Sequence, residues 1–200
     1  MKNLTMIAVV LAFAGTATAD DMAKKAPDAK KAPEPKKDEP KKDAPKKDAP
    51  KMEAPKPAQE VTDMAKGMAG NWTCSGKWSM DGTAWTEFKG TNKMSTDLDK
   101  FWIKGDFTMI AGPMKMKGVE YITYDGAQKK WFRVAVDSTG GHETNSSADG
   151  KKWEGEMTMM GMTAKVRTTL EMGPKELKVS SEMSPDSKKW VKGFEMTCKK

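Results

Sequence analysis

Histidine occurs once, cysteine twice and tyrosine twice in 200 residues, and no apolar run approaches the ~20 residues that a membrane-crossing helix needs. Each scarcity excludes something. A lone His142 gives no histidine-based metal set, since zinc sites of the usual kind need three or four clustered ligands, so no metal and no cofactor are expected. No serine sits in a nucleophile-elbow motif and no second histidine can serve as a base. Nucleophilic catalysis therefore lacks its partner groups, no catalytic residue is assigned, and an enzyme is not expected. Residues 58–200 carry 22 Lys and Arg against 19 Asp and Glu, a net +3 scattered evenly along the chain. A nucleic-acid surface would cluster that charge on one element.

Aromatic residues and proline are also missing, but regionally. Residues 20–57 hold 12 Lys, 9 Asp and Glu, 8 of the 11 prolines, no aromatic residue and two methionines. That composition cannot bury enough surface to offset ordering entropy, so a disordered spacer is expected. A five-residue unit recurs in it as Lys36-Lys37-Asp38-Glu39-Pro40, Lys41-Lys42-Asp43-Ala44-Pro45 and Lys46-Lys47-Asp48-Ala49-Pro50. Proline at every fifth position favours extended, polyproline-like backbone with a reach on the order of 100 Å. Its lysine pairs suit an anionic envelope polymer as a partner. Ahead of the spacer, Lys2, the run Met6 to Ala14 and Ala17-Thr18-Ala19 have the form of a secretory signal over 1–19, cleaved before Asp20. No cysteine follows that run to take a lipid. A soluble periplasmic or secreted monomer without a membrane span is expected.

All seven tryptophans and fourteen of the eighteen methionines lie after residue 57. Within 58–200 the apolar residues alternate with period two, as in Met162, Ala164, Val166, Thr168, Leu170 and Met172. Turn signals at Asp81-Gly82, Gly112-Pro113, Asp125-Gly126, Gly140-Gly141, Asp149-Gly150, Gly161, Gly173-Pro174 and Pro185-Asp186 divide this stretch. They leave about ten strands, near 71–80, 84–95, 100–110, 114–124, 129–138, 142–147, 151–160, 162–172, 175–183 and 188–198. Only 60–70, with Val61, Met64, Ala65 and Met68 at helical spacing, reads as a short helix.

The expected fold is all-β: an antiparallel up-and-down barrel whose closure hides both sheet edges. Cys74 in the first strand and Cys198 in the last are each in phase with apolar neighbours, so a disulfide between them is expected to close the seam. Gly70-Asn71-Trp72 resembles the Gly-x-Trp start of the calycin superfamily of ligand-binding barrels. Added to it are Asp97 to Trp102, Tyr121-x-x-Tyr124-Asp125, Val136-Asp137-Ser138-x-Gly140-Gly141 and Glu195 to Lys200. With these, 64–200 resembles a family of exported bacterial calycin-like barrels of unknown function, the domain-of-unknown-function 1579 type. That resemblance implies fold and compartment and supplies no reaction.

Ten strands enclose more space than eight, so an internal cavity is expected. Its expected lining is Trp72, Trp78, Phe101, Phe107, Phe132, Met157, Met159, Met162 and Phe194, with Val166, Leu177 and Met183, which suits a small hydrophobic or amphiphilic ligand. Asp137 and His142 are the candidates for a polar barrel mouth. The alternative function is a structural or envelope-associated module with a filled barrel and an interacting basic tail. The methionines at 109, 114, 116, 157, 159, 160 and 162 resemble thioether clusters that select Cu(I), but alternation assigns most of them to packing. Gly70-x-Trp72-x-Cys74-x-Gly76 is similar to the nitrobindin pattern Gly-x-Trp-x-Gly-x-Gly. That family holds its haem on a histidine near the chain end, where this sequence has none.

Overall fold

The structure is a computed structural model that describes residues 54–200. The signal-like segment at 1–19, and the spacer apart from its last four residues, lie outside the described residues.

The chain begins with helix α1 (Gln59–Met68), which buries Val61, Ala65 and Met68 along one face. Glu60 in its first turn and Lys66 in its last suit the helix dipole. Ala69 N–H donates to the Ala65 carbonyl at 2.8 Å, and the Lys200 ammonium donates to the Gly67 carbonyl at 2.8 Å. The last residue of the chain thus caps the helix. Gly70, at φ 130°, then turns the backbone in a way that side-chain-bearing residues rarely follow.

Ten antiparallel strands follow: β1 (Gly70–Trp78), β2 (Thr86–Asp97), β3 (Trp102–Ala111), β4 (Met114–Asp125), β5 (Lys130–Asp137), β6 (His142–Ser147), β7 (Lys152–Met159), β8 (Met162–Met172), β9 (Glu176–Ser184) and β10 (Val191–Lys199). Each pairs with its sequence neighbour, and β1 pairs with β10 to close the barrel. At that seam Cys74 lies directly opposite Cys198, and the two form a disulfide. The expected fold class and the expected seam are what the structure shows.

The hairpin turns share a chemical device. Asp81, Asp125, Asp149 and Asp186 each accept two backbone N–H groups two and three residues downstream, at 2.7 to 3.0 Å. These are Asx-type turns, in which the carboxylate replaces a backbone acceptor. The hydrogen bonds hold all four carboxyl groups below the ordinary aspartate range. A tryptophan follows each turn, at Trp85, Trp131, Trp153 and Trp190. Trp131 and Trp153 are buried, whereas Trp85 and Trp190 lie under cations, with Lys77 and Arg167 at 4.7 and 4.3 Å from the ring centroids.

Because the strands alternate in direction, the ends of the barrel differ. At the end where β1 begins, α1 covers Trp72, Met94, Ile103, Ile122, Trp131, Trp153 and Leu177 in the main apolar core. Trp72 is fixed there by donating from Nε1 to the Met68 carbonyl at 2.7 Å. The opposite end carries no helix among the described residues, and there the barrel interior opens. Among the described residues no helix is long and apolar enough to cross a membrane.

Candidate ligand cavity

A cavity of about 260 Å³ runs inside the barrel from Met68, the last residue of α1, to the turn at Thr139–Gly141 and to Met160 at the opposite end. This is close to the lower end of the ~300–1,000 Å³ typical of small-molecule sites. Its wall alternates out of every strand but is not uniform. Toward the open end it is apolar, with Trp78, Phe88, Phe107, Met109, Met114, Met116, Met157, Met159 and Phe194. Phe88 and Phe194 stack there with ring centroids 5.3 Å apart.

Deeper in, the wall is charged. β4, β5 and β6 turn Glu120, Arg133 and Glu143 inward. Arg133 donates from Nε to Glu120 Oε2 at 2.8 Å and from Nη1 to Glu143 Oε1 at 2.8 Å. Asn92 on β2 donates to the other oxygen of Glu120 at 2.9 Å, and Asn145 donates to Glu143 Oε1. The registers show how the side chains fit. Ala135 on β5 sits opposite both Glu120 and Glu143, so a small residue separates the two carboxylates and Arg133 reaches both from one row away.

Two glycines make space for the cluster. A Cβ on Gly105 would lie 2.6 Å from Met94 Sδ and 2.8 Å from Glu120 Oε1, so glycine is what lets Glu120 cross β3 toward Asn92. A Cβ on Gly155 would collide first with the Thr144 carbonyl oxygen on β6 and also with Asn145 Oδ1. Burial alone would lower the basicity of Arg133, but the carboxylates of Glu143 and Glu120 outweigh it and hold the guanidinium above its ordinary pKa. Three buried polar atoms remain without a partner among the described residues: Trp78 Nε1, Asn92 Oδ1 and Asn145 Oδ1.

Of the residues expected to line the interior, Trp78, Phe107, Met157, Met159, Phe194, Val166, Leu177 and Met183 do line the cavity. Four do not. Trp72 is 2% exposed and belongs to the core under α1. Phe101 precedes β3, in the turn, where its carbonyl accepts from Thr123 Oγ1 at 2.8 Å. Phe132 lies on the outer face, because β5 turns Trp131, Arg133 and Ala135 inward and leaves Val134 and Val136 exposed. Both faces of β5 carry apolar residues, so alternation alone does not choose between them. Met162 is in phase with Ala164 and Val166 but stands at the strand end, 45% exposed.

The mouth candidates divide as well. Asp137 and His142 both border the cavity rim. The Asp137 carboxylate is engaged by its own turn, accepting from Thr139 N–H at 2.7 Å and Gly141 N–H at 3.1 Å. His142 pairs with Val136 and Thr158, one residue out of phase with inward Glu143, and is exposed. The polar residues that do meet inside, Asn92, Glu120, Arg133 and Glu143, were absent from the sequence expectations. Their signal was a charge in the apolar phase of successive strands: Glu120 between Gly118 and Ile122, and Arg133 between Trp131 and Ala135.

The family model described as "Protein of unknown function (DUF1579)" matches residues 56–200. No curated protein matches the chain. Among solved structures, the crystal structure of Rv2717c from M. tuberculosis aligns with a TM-score of 0.54 at 12% identity, over 70% of this chain and 96% of that one. The S-type phycobiliprotein lyase CPES from Guillardia theta aligns with a TM-score of 0.45 at 12% identity, over 69% of this chain and 90% of that one. At such identity the likeness to Rv2717c is one of fold.

Proposed function

Since the chain belongs to the DUF1579 family of unknown function, membership brings no activity with it, and we propose from the cavity itself that the barrel is an exported, non-catalytic binder of a small amphiphilic molecule. One observation carries the reading: the interior holds an apolar wall and a charged cluster on one continuous cavity surface. A barrel filled only for stability would gain from apolar side chains at these positions. Replacing buried ion pairs by apolar residues of similar volume is often neutral or stabilising by about 1–4 kcal/mol. The flexible thioethers of Met109, Met114, Met116, Met157 and Met159 adapt to an irregular apolar body, and the Glu120–Arg133–Glu143 cluster orients a polar end.

The disulfide supports an oxidising compartment, in keeping with the signal-like segment at 1–19. It also leaves neither cysteine as a thiol nucleophile, and the exposed His142 has no free cysteine to activate. The test is titration with a neutral, environment-sensitive dye such as N-phenylnaphthylamine. The reading expects saturable, one-site binding that decanol displaces. A signal that rises without saturation, or that decanol leaves untouched, would return the barrel to the filled, structural class.

A further inference from the structure

We propose that the polar end of this ligand is cationic, an alkyl- or arylammonium group, and that the cavity discriminates against anionic amphiphiles such as fatty acids. The inference rests on the binding reading above and adds the sign of the charge. Inside the cavity one guanidinium lies between two carboxylates, so the cluster carries one negative charge more than it neutralises. The rim adds Asp137, and among the described residues no lysine lines the cavity. The field inside is thus opposite in sign to the net charge of the chain, +7.

Hydrogen-bond capacity points the same way. Two N–H groups of Arg133 are already committed to carboxylates, so an incoming anion would have to compete with Glu120 or Glu143 for them. Among the unpartnered buried atoms, the two in this cluster are acceptors. Asn145 is 5% exposed, faces inward beside Glu143, and has no donor on Oδ1; Asn92, a cavity-lining residue, has none on its Oδ1. Both amide nitrogens are fixed by donation to a carboxylate, so these oxygens cannot be exchanged for donors by an amide flip. An ammonium group supplies the missing positive charge and the donor that Asn92 Oδ1 lacks on the cavity wall, while the Asn145 oxygen packs against Gly155. At the open end, Trp78 Nε1 is left as a donor for an acceptor atom at the ligand's other end.

The experiment is calorimetric titration of the oxidised protein with three chain-matched probes at neutral pH: octylamine, octanol and octanoate. Octylamine is expected to bind about tenfold or more tighter than octanol, and octanoate weakest. Glu143→Gln should bring the octylamine affinity down to about that of octanol, with an unchanged far-ultraviolet circular dichroism spectrum and thermal unfolding transition showing that the barrel survives. Glu120→Gln provides the same comparison if the first variant does not fold. Equal binding of octylamine and octanol, octanoate binding tightest, or an amine preference that persists in both variants would overturn the charge assignment and leave the cavity reading standing. No binding of any probe, together with no saturable dye binding, would remove the cavity reading itself.

Discussion

Reducing the Cys74–Cys198 bond while keeping every atom of the protein isolates what barrel closure owes to the cross-link. The two cysteines are 124 residues apart, and the chain-entropy relation for a loop of that size gives about 5 kcal/mol at 25 °C. A domain of this length shifts its midpoint by roughly 3–4 °C per kcal/mol, so the reduced protein should melt roughly 15–20 °C lower. Because both cysteines are buried, the protein must be unfolded, reduced and refolded under reductant before comparison with the oxidised form. Urea unfolding followed by tryptophan fluorescence then reports two quantities. The midpoint should fall, and the slope should rise, since an uncross-linked unfolded chain exposes more surface. A paired Cys74→Ala, Cys198→Ala variant should lose somewhat more, because it also leaves a small void at two closely packed positions. A loss below about 1 kcal/mol on reduction, with an unchanged slope, would refute the argument: the β1–β10 hydrogen bonds would then hold the seam unaided.

Other consequences can be measured on the same footing. Arg133→Met should cost about 3–5 kcal/mol by urea denaturation, because it leaves two carboxylates buried without their cation. Adding Glu120→Gln and Glu143→Gln should recover part of that loss, and a single variant as stable as wild type would contradict the cluster. Gly105→Ala should cost about 1–3 kcal/mol, since its Cβ displaces Glu120 or Met94; a neutral result would mean that Glu120 does not cross β3. The turn aspartates predict acid sensitivity. Their folded pKa values lie below the unfolded aspartate value, so the stability they contribute is present above about pH 4 and is lost as pH falls through the lowered values. Thermal midpoints measured across that range should drop, and drop less in an Asp149→Asn, Asp186→Asn variant.

Most of the barrel was legible because one face of most strands is strongly apolar. β8 shows this cleanly: Ala164, Val166 and Thr168 are buried, and the intervening Lys165 and Arg167 are exposed. The seam was legible because two cysteines in phase with apolar residues, at opposite ends of one meander, have few other ways to meet. β5 was not legible, because Trp131 and Ala135 on one face compete with Phe132, Val134 and Val136 on the other. What selects the inward face is Arg133, whose partners Glu120 and Glu143 lie on the neighbouring strands. A charge reads as an outward residue until both neighbours are seen to offer the opposite sign. The placement of Trp72 and Phe101 was hidden for a different reason. Alternation gives the face of a strand but neither the height within the barrel nor the strand's first residue: α1 claims the layer of Trp72 for the core, and β3 begins only after Phe101.

The inward charges bear most directly on function. Three ionised groups inside a closed barrel oppose folding unless each is paired, and here the pairing is incomplete by one positive charge and two acceptor atoms. Gly105 and Gly155 compound the cost, since glycine in a strand interior is less favourable than alanine by roughly 0.5–1 kcal/mol. Both are placed where a Cβ would collide with the polar cluster. A sheet closed by a disulfide of about 5 kcal/mol can offset such an arrangement, whereas an open sheet of the same strands would have less in reserve. Closure and polarity are therefore linked: the staple at one strand pair gives stability against which the interior can keep a charged, unfilled site. The double test follows, for if the site is what the staple supports, filling it with an octylammonium ion should raise the midpoint of the reduced protein as well as the oxidised one. Ligand stabilisation confined to the oxidised form would mean that the cavity exists only while the seam is bonded.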